Sequence, residues 1–128
     1  MKLLLDTQAF LWADAEPGKL SACARAACED AANTILLSTA SIWEIQIKVM
    51  LGKLTTRKPV RLLLEDCVRG GSLGILPVEL EHVLRLESLP PLHEDPFDRL
   101  LVAQALAEDC SLVSHDLAII QYPVKVVW

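Results

Sequence analysis

Long uncharged apolar runs are missing from this sequence. The longest stretch without a charged residue, Ala31 to Trp43, has 13 residues and includes Asn33, Thr34, Ser38, Thr39 and Ser41, well short of the roughly 18 that mark a membrane-spanning helix. Between Met1 and Asp6 there are only one lysine and three leucines, too short an apolar stretch for a secretory signal and without a small-residue cleavage site. A soluble, cytoplasmic protein is expected. Cys23, Cys28, Cys67 and Cys110 contain no C-x-x-C pair, so zinc spacing is absent and buried free thiols are expected. His82, His93 and His115 are scattered, with no H-x-x-x-H and no cysteine at ligand spacing, and read as structural or surface residues. No serine, cysteine or histidine stands beside a base in a nucleophile motif, which leaves a covalent intermediate without support.

Excess positive charge is lacking too. The formal net charge is −5, whereas generic affinity for nucleic acid comes from Lys and Arg neutralising phosphates. The distribution is polarised, however. Lys48, Lys53, Arg57, Lys58 and Arg61 fall in a stretch with no acid, and Glu79 to Asp98 has six acids against Arg85 alone. Such a basic stretch fits either a solvated face or a set of phosphate contacts.

What is present fits one globular unit: 128 residues, of which 52% are hydrophobic, read as a single domain over 1–128. No internal repeat, low-complexity segment or linker divides it. Short apolar runs at Lys2–Leu5, Thr34–Leu37, Leu73–Leu76, Ser111–Ser114 and Val124–Val127 predict strands. Between them, helices are predicted over Ser21–Ala32, Ser38–Leu51 (closed by Gly52), Pro59–Arg69 (stopped by Gly70-Gly71) and Val78–Leu86. A further helix starts at Pro96 and runs to about Glu108, and a helical turn follows Asp116. Near-continuously apolar strands alternating with helices indicate an α/β fold: three layers, α/β/α, around a parallel sheet of four to five strands.

In such a sheet the functional cleft lies beyond the carboxyl ends of the strands. Four acids fall there. Asp6 follows the first strand, Asp116 follows the fourth, Asp98 lies in the first turn of the helix leading into it, and Glu44 sits one to two turns into the helix after the second. Each has a local alternative. Asp6 and Asp116 suit helix N-caps, and Asp98 suits the macrodipole behind an Asp95 cap. Glu44 suits a capping box with Ser41 or an i,i+4 pair with Lys48. Together they are harder to account for, since two unit charges about 4 Å apart repel by about 4 kcal/mol at an effective dielectric of 20. Shared protons or a divalent cation relieves that repulsion, and an all-oxygen donor set suits Mg²⁺ or Mn²⁺.

Four segments carry a family resemblance: LLLDT at Leu3–Thr7, SIWEIQIKVMLGKL at Ser41–Leu54, LHEDPFDRLLVAQAL at Leu92–Leu106 and LVSHD at Leu112–Asp116. In their order and spacing they resemble a PIN domain of the VapC type, the toxin half of bacterial toxin–antitoxin pairs, over essentially the whole chain. The resemblance implies a doubly wound domain with Asp6, Glu44, Asp98 and Asp116 as the acidic quartet and Thr7 and Ser114 as hydroxyl-bearing supports. Gln8 departs from the histidine common at that position. The implied activity is hydrolysis of an RNA phosphodiester with Mg²⁺ or Mn²⁺. Asp6, Asp98 and Asp116 would act as metal ligands, and Glu44 would orient or deprotonate the nucleophile. Lys48, Lys53, Arg57 and Lys58 become candidate phosphate contacts. The helix from Ser41 is apolar nearly all round (Ile42, Trp43, Ile45, Ile47, Val49, Met50, Leu51), more than one buried stripe requires. Core burial accounts for part of it, and the resemblance supplies two occupants for the surplus, a VapB-type antitoxin and a second copy in a homodimer.

Two other classes of protein share parts of this pattern. A haloacid-dehalogenase-type phosphatase would use Asp6 as nucleophile but needs a second Asp where Gln8 stands. A non-catalytic RNA- or partner-binding module on the same fold would not need the intact quartet.

Overall fold

The computed structural model describes residues 1–128. Five strands, β1 (Lys2–Leu5), β2 (Thr34–Ser38), β3 (Gly74–Leu76), β4 (Ser111–Val113) and β5 (Val126–Val127), form one sheet. Their spatial order is β3-β2-β1-β4-β5 and every pairing is parallel. The helices are α1 (Thr7–Ala15), α2 (Ala22–Glu29), α3 (Thr39–Met50), α4 (Val60–Arg69), α5 (Leu80–Arg85), α6 (Pro96–Glu108) and α7 (Leu117–Ile120). Short 3-10 turns lie at Pro17–Lys19 and Leu86–Ser88. No helix is long and apolar enough to cross a membrane.

Side chains alternate across a strand, and this alternation builds two cores. Leu3, Leu5, Leu37 and Val113 join Phe10, Ala24, Ile45 and Leu63 on one face. Leu4 and Leu112 join Leu101, Val102, Ala105 and Ile119 on the other. Since both faces are covered, the strands have no polar side, and their apolar runs are continuous, as the sequence pattern predicts.

Most expected elements are present with ends shifted by one to three residues, and caps decide several of those ends. Ser21 caps α2 as its residue type favours, accepting the Ala24 N–H, whereas Ser38 accepts the Ala40 N–H and caps α3 instead of belonging to it. Gly52, at φ +71°, ends α3 in the left-handed conformation that favours glycine. Two expectations are corrected. The apolar pattern delimits no helix between Asp6 and Ser21, although the N-cap reading of Asp6 implies one, and α1 lies there; Ala9, Phe10, Leu11 and Trp12 give it no polar face, hence no amphipathic signature. Of the cysteines, only Cys110 is buried. Cys28 and Cys67 are half-buried and Cys23 is exposed on α2, while all four are unpaired.

Candidate metal centre

The strand order reverses at β1: the chain steps from β1 to β2 and β3 on one side, then returns to place β4 on the other. Side chains just past the carboxyl ends of β1 and β4 therefore share one crevice. Asp6 directly follows β1, and its N–H continues the ladder by donating to the Val113 carbonyl at 3.0 Å. Asp116 follows β4 by three residues and begins α7. Asp98, in the first turn of α6, and Glu44, on α3, project into the same crevice. The result is a cleft of about 320 Å³ lined by Asp6, Glu44, Asp95, Asp98 and Asp116, with Lys48 as the one lysine and Gln8 among its walls.

The local alternatives hold at the same time as the cluster. Asp6 caps α1, accepting the Ala9 N–H at 2.7 Å, and Asp116 caps α7 through Ala118 at 2.8 Å. Asp95 caps α6. Glu44 makes no capping box with Ser41, because α3 begins earlier and Ser41 is buried away from that role. Instead its Oε1 accepts from the Thr7 hydroxyl at 2.6 Å and its Oε2 from Lys48 Nζ at 2.9 Å. The Ser114 hydroxyl accepts the Asp116 N–H at 3.1 Å and lies near enough to Asp6 to lower that carboxyl's proton affinity, linking two of the acids. Thr7 and Ser114 thus touch the quartet. Lys48 touches it too, but Lys53 and Lys58 lie outside the cleft. Lys58 pairs with Asp66, and Arg57 pairs with Asp14 at 2.8 Å in a neighbouring groove.

One histidine departs from its expected place as an ordinary structural or surface residue. His93 reaches in from the loop before α6, with Nε2 2.8 Å from Asp116 Oδ2 and 3.1 Å from Asp98 Oδ2. The Asp95 N–H donates to its Nδ1 at 3.0 Å, so the neutral ring carries its proton on Nε2 and donates to the two carboxylates. The loop is held by Tyr122, whose hydroxyl accepts the N–H groups of Leu92 and His93. His93 and Asp95 are the site residues that sequence reasoning missed. The available signal was their place in LHEDPFD, immediately ahead of Asp98.

Crowding shows in the proton affinities. Burial, joined by the charge of Asp95 and opposed by His93, pushes the Asp98 carboxyl up to about 7. Burial also raises Asp6, against the hydrogen bonds from Ser114 and the Ala9 N–H, with Asp116 and Glu44 adding to the rise. Burial acts the same way on Asp116, but the His93 hydrogen bond and backbone N–H groups outweigh it and hold that carboxyl below the usual range. For His93, burial disfavours the imidazolium, yet Asp116, Asp98 and Asp95 lift it above the ordinary histidine value. A second proton would face the Asp95 N–H, and that amide is the firmer constraint on the ring.

The donor set fits a hard divalent cation. Nε2 of His93 and carboxylate oxygens of Asp98 and Asp116 lie within 4.8 Å of one another; with the Nε2 proton turned to the carboxylates, His93 orients the pair, and the oxygens of Asp98 and Asp116 keep lone pairs for an ion, with Asp6 in the same cleft but outside that close group.

Fold and site together define a doubly wound α/β domain with a carboxylate-lined cleft at its switch point. The family model of the PIN domain matches residues 3–125, and the chain belongs to the PIN domain family. Over 58 residues it is 41% identical to Ribonuclease VapC16 of Mycobacterium tuberculosis, a match taking in 45% of this chain and 40% of that relative's length. Its fold is similar to the crystal structure of VapBC2 from Rickettsia felis bound to a promoter DNA fragment, at a TM-score of 0.70 and 16% identity over 98% of this chain and 97% of that one. It is also similar to DNA-bound VapBC from Salmonella typhimurium, at 0.67 and 12% over 98% and 96%. For FitAcB from Neisseria gonorrhoeae the TM-score is 0.58 at 19% identity, over 97% and 95%.

Proposed function

We propose that this chain is an endoribonuclease dependent on Mg²⁺ or Mn²⁺, acting in the cytoplasm as the toxin of a toxin–antitoxin pair with a VapB-type antitoxin. The observation that carries this reading is the convergence of Asp6, Glu44, Asp98 and Asp116, from separate elements, on one cleft at the switch point. The names of the ribonuclease relative and of the VapBC complexes support it.

Asp6, Asp98 and Asp116 would hold the ion, with Asp6 and Asp98 the most direct. When bound, it lowers the pKa of water and neutralises charge building on the phosphoryl oxygens. Glu44 orients the attacking water and takes its proton on a carboxylate oxygen; the Thr7 and Lys48 contacts fix that carboxylate in one orientation. Lys48 meets the phosphate at the cleft mouth. His93 keeps Asp98 and Asp116 together, and Ser114 does the same for Asp6 and Asp116.

The test incubates purified protein with a structured RNA pool, with and without Mg²⁺, beside Asp6→Asn and Asp98→Asn. Cleavage is expected only for the unsubstituted chain with the ion. Cleavage that survives chelation or both substitutions overturns the reading, and binding without cleavage replaces it with a non-catalytic RNA-binding module. Expression of the unsubstituted chain alone is expected to slow growth while Asp6→Asn does not; equal toxicity would assign the harm elsewhere.

A further inference from the structure

The cleft has an aromatic side that the acidic chemistry does not use. Trp12 on α1, His115 after β4 and Trp128 beyond β5 line it together with Asp6 and Asp116. Their rings form a series. His115 stacks on Trp128 with centroids 5.1 Å apart and planes at 29°, and Trp128 meets Trp12 at 5.9 Å and 48°. Lys19 Nζ stands 6.0 Å from the Trp12 ring centroid at the far end. Both indoles rest against the first core with part of their surface, and neither is fully buried. Trp12 also lines the neighbouring groove, where Lys19, Thr55, Thr56 and Arg57 lie.

Packing alone does not account for this arrangement. An exposed histidine stacked on a half-buried indole, beside five carboxylates, leaves apolar ring surface open to a polar cleft. Beyond Lys48, which is shared with Glu44, cations offer little to hold a nucleic acid here, since Arg57 and Lys58 are engaged by Asp14 and Asp66. Base stacking is indifferent to that negative charge. One base on an aromatic ring is worth roughly 5- to 150-fold in affinity.

We infer that Trp12, Trp128 and His115 form a stacking platform for unpaired bases of single-stranded RNA flanking the phosphate held at the acids. The inference rests on the ribonuclease reading for its ligand and adds how that ligand is gripped. Bases inside a duplex have their faces covered by neighbours, so the platform selects loops and single strands. Trp12 lines both grooves, so the platform is continuous with the groove that holds Thr55 and Thr56.

The test uses the cleavage-deficient Asp6→Asn chain and a short single-stranded RNA with one central 2-aminopurine, whose fluorescence reports stacking. Comparison RNAs carry an abasic run or are fully duplexed. Expected are a fluorescence change on binding and affinity for the abasic or duplex RNA weaker by about tenfold or more. Adding Trp128→Ala should remove most of that difference, and Trp128→Phe should restore it. Equal affinity for the base-bearing, abasic and duplex RNAs overturns the platform, and this comparison stands even if Trp128→Ala fails to fold. Cleavage by the unsubstituted chain without stacking overturns the platform alone, whereas stacking without cleavage by the unsubstituted chain overturns the nuclease reading and leaves the platform standing.

Discussion

Asp98 concentrates the electrostatic tension of this protein. Its carboxyl titrates near 7 in the folded chain and near the ordinary value when unfolded, so the folded state binds the extra proton. Stability of the metal-free protein therefore falls as pH rises from about 4 through 7. Asp116, held low, contributes only in acid. The melting temperature without metal is expected to be lower at pH 8 than at pH 5.5, and Asp98→Asn to flatten that slope and raise the value at pH 8. Added Mn²⁺ should stabilise the unsubstituted chain more at pH 8 than at pH 6 and leave Asp98→Asn nearly unmoved. A slope of the opposite sign would refute this account of Asp98. His93→Ala should weaken Mn²⁺ binding by roughly 10- to 100-fold, the usual effect of removing a group that orients a ligand; unchanged binding by calorimetry would remove His93 from that role.

At the same scale the acids were legible because each also obeys a local rule. Asp6 and Asp116 are N-caps, Asp98 lies in the first turn of α6 and Glu44 pairs with Lys48 four residues on, and their places just past strand ends or in the adjoining helices located them in the chain. His93 was not legible. Its role depends on the Tyr122 hydroxyl holding a loop from 29 residues away, and no periodicity encodes such a contact.

Among the elements, the strands and the amphipathic helices were readable and α1 was not. α4 shows one apolar stripe, with Val60 and Leu63 buried. In α1, Phe10 enters the core while Leu11 and Trp12 also line the cleft, so both sides are apolar for different reasons and the stripe vanishes. α6 carries the second core. Leu101→Ala there should cost about 2–5 kcal/mol in chemical denaturation, as fully buried leucines do. Gly52→Ala, at a left-handed turn with open space around it, should cost only about 1 kcal/mol. A larger loss at Gly52 than at Leu101 would contradict this view of what supports the elements.

Across the whole molecule, α3 presents surface that folding leaves uncovered. Met50 is 84% exposed, Trp43 64% and Leu51 62%, although Trp43 also meets Phe97 edge-on at 5.3 Å. The sequence showed this surplus, but which side chains stay outside followed only from the packing of Ile45 into the core. Such a patch suits a second copy or an antitoxin helix. Met50→Lys should change stability by less than about 0.5 kcal/mol while weakening self-association or antitoxin binding in sedimentation. Full retention of both assemblies would separate this patch from either interface.

The pairing of Leu3–Leu5 with Ser111–Val113 joins segments from near the two ends of the numbered chain. Asp6 emerges from the ribosome early and Asp116 late, so the crevice closes only after nearly every residue between them has been made. A growing or truncated chain that lacks β4 also lacks Asp116, one of the three proposed ligands, and the β1–β4 pairing that brings it to Asp6. The chemistry proposed for this cleft is thereby withheld until translation has passed β4 and Asp116.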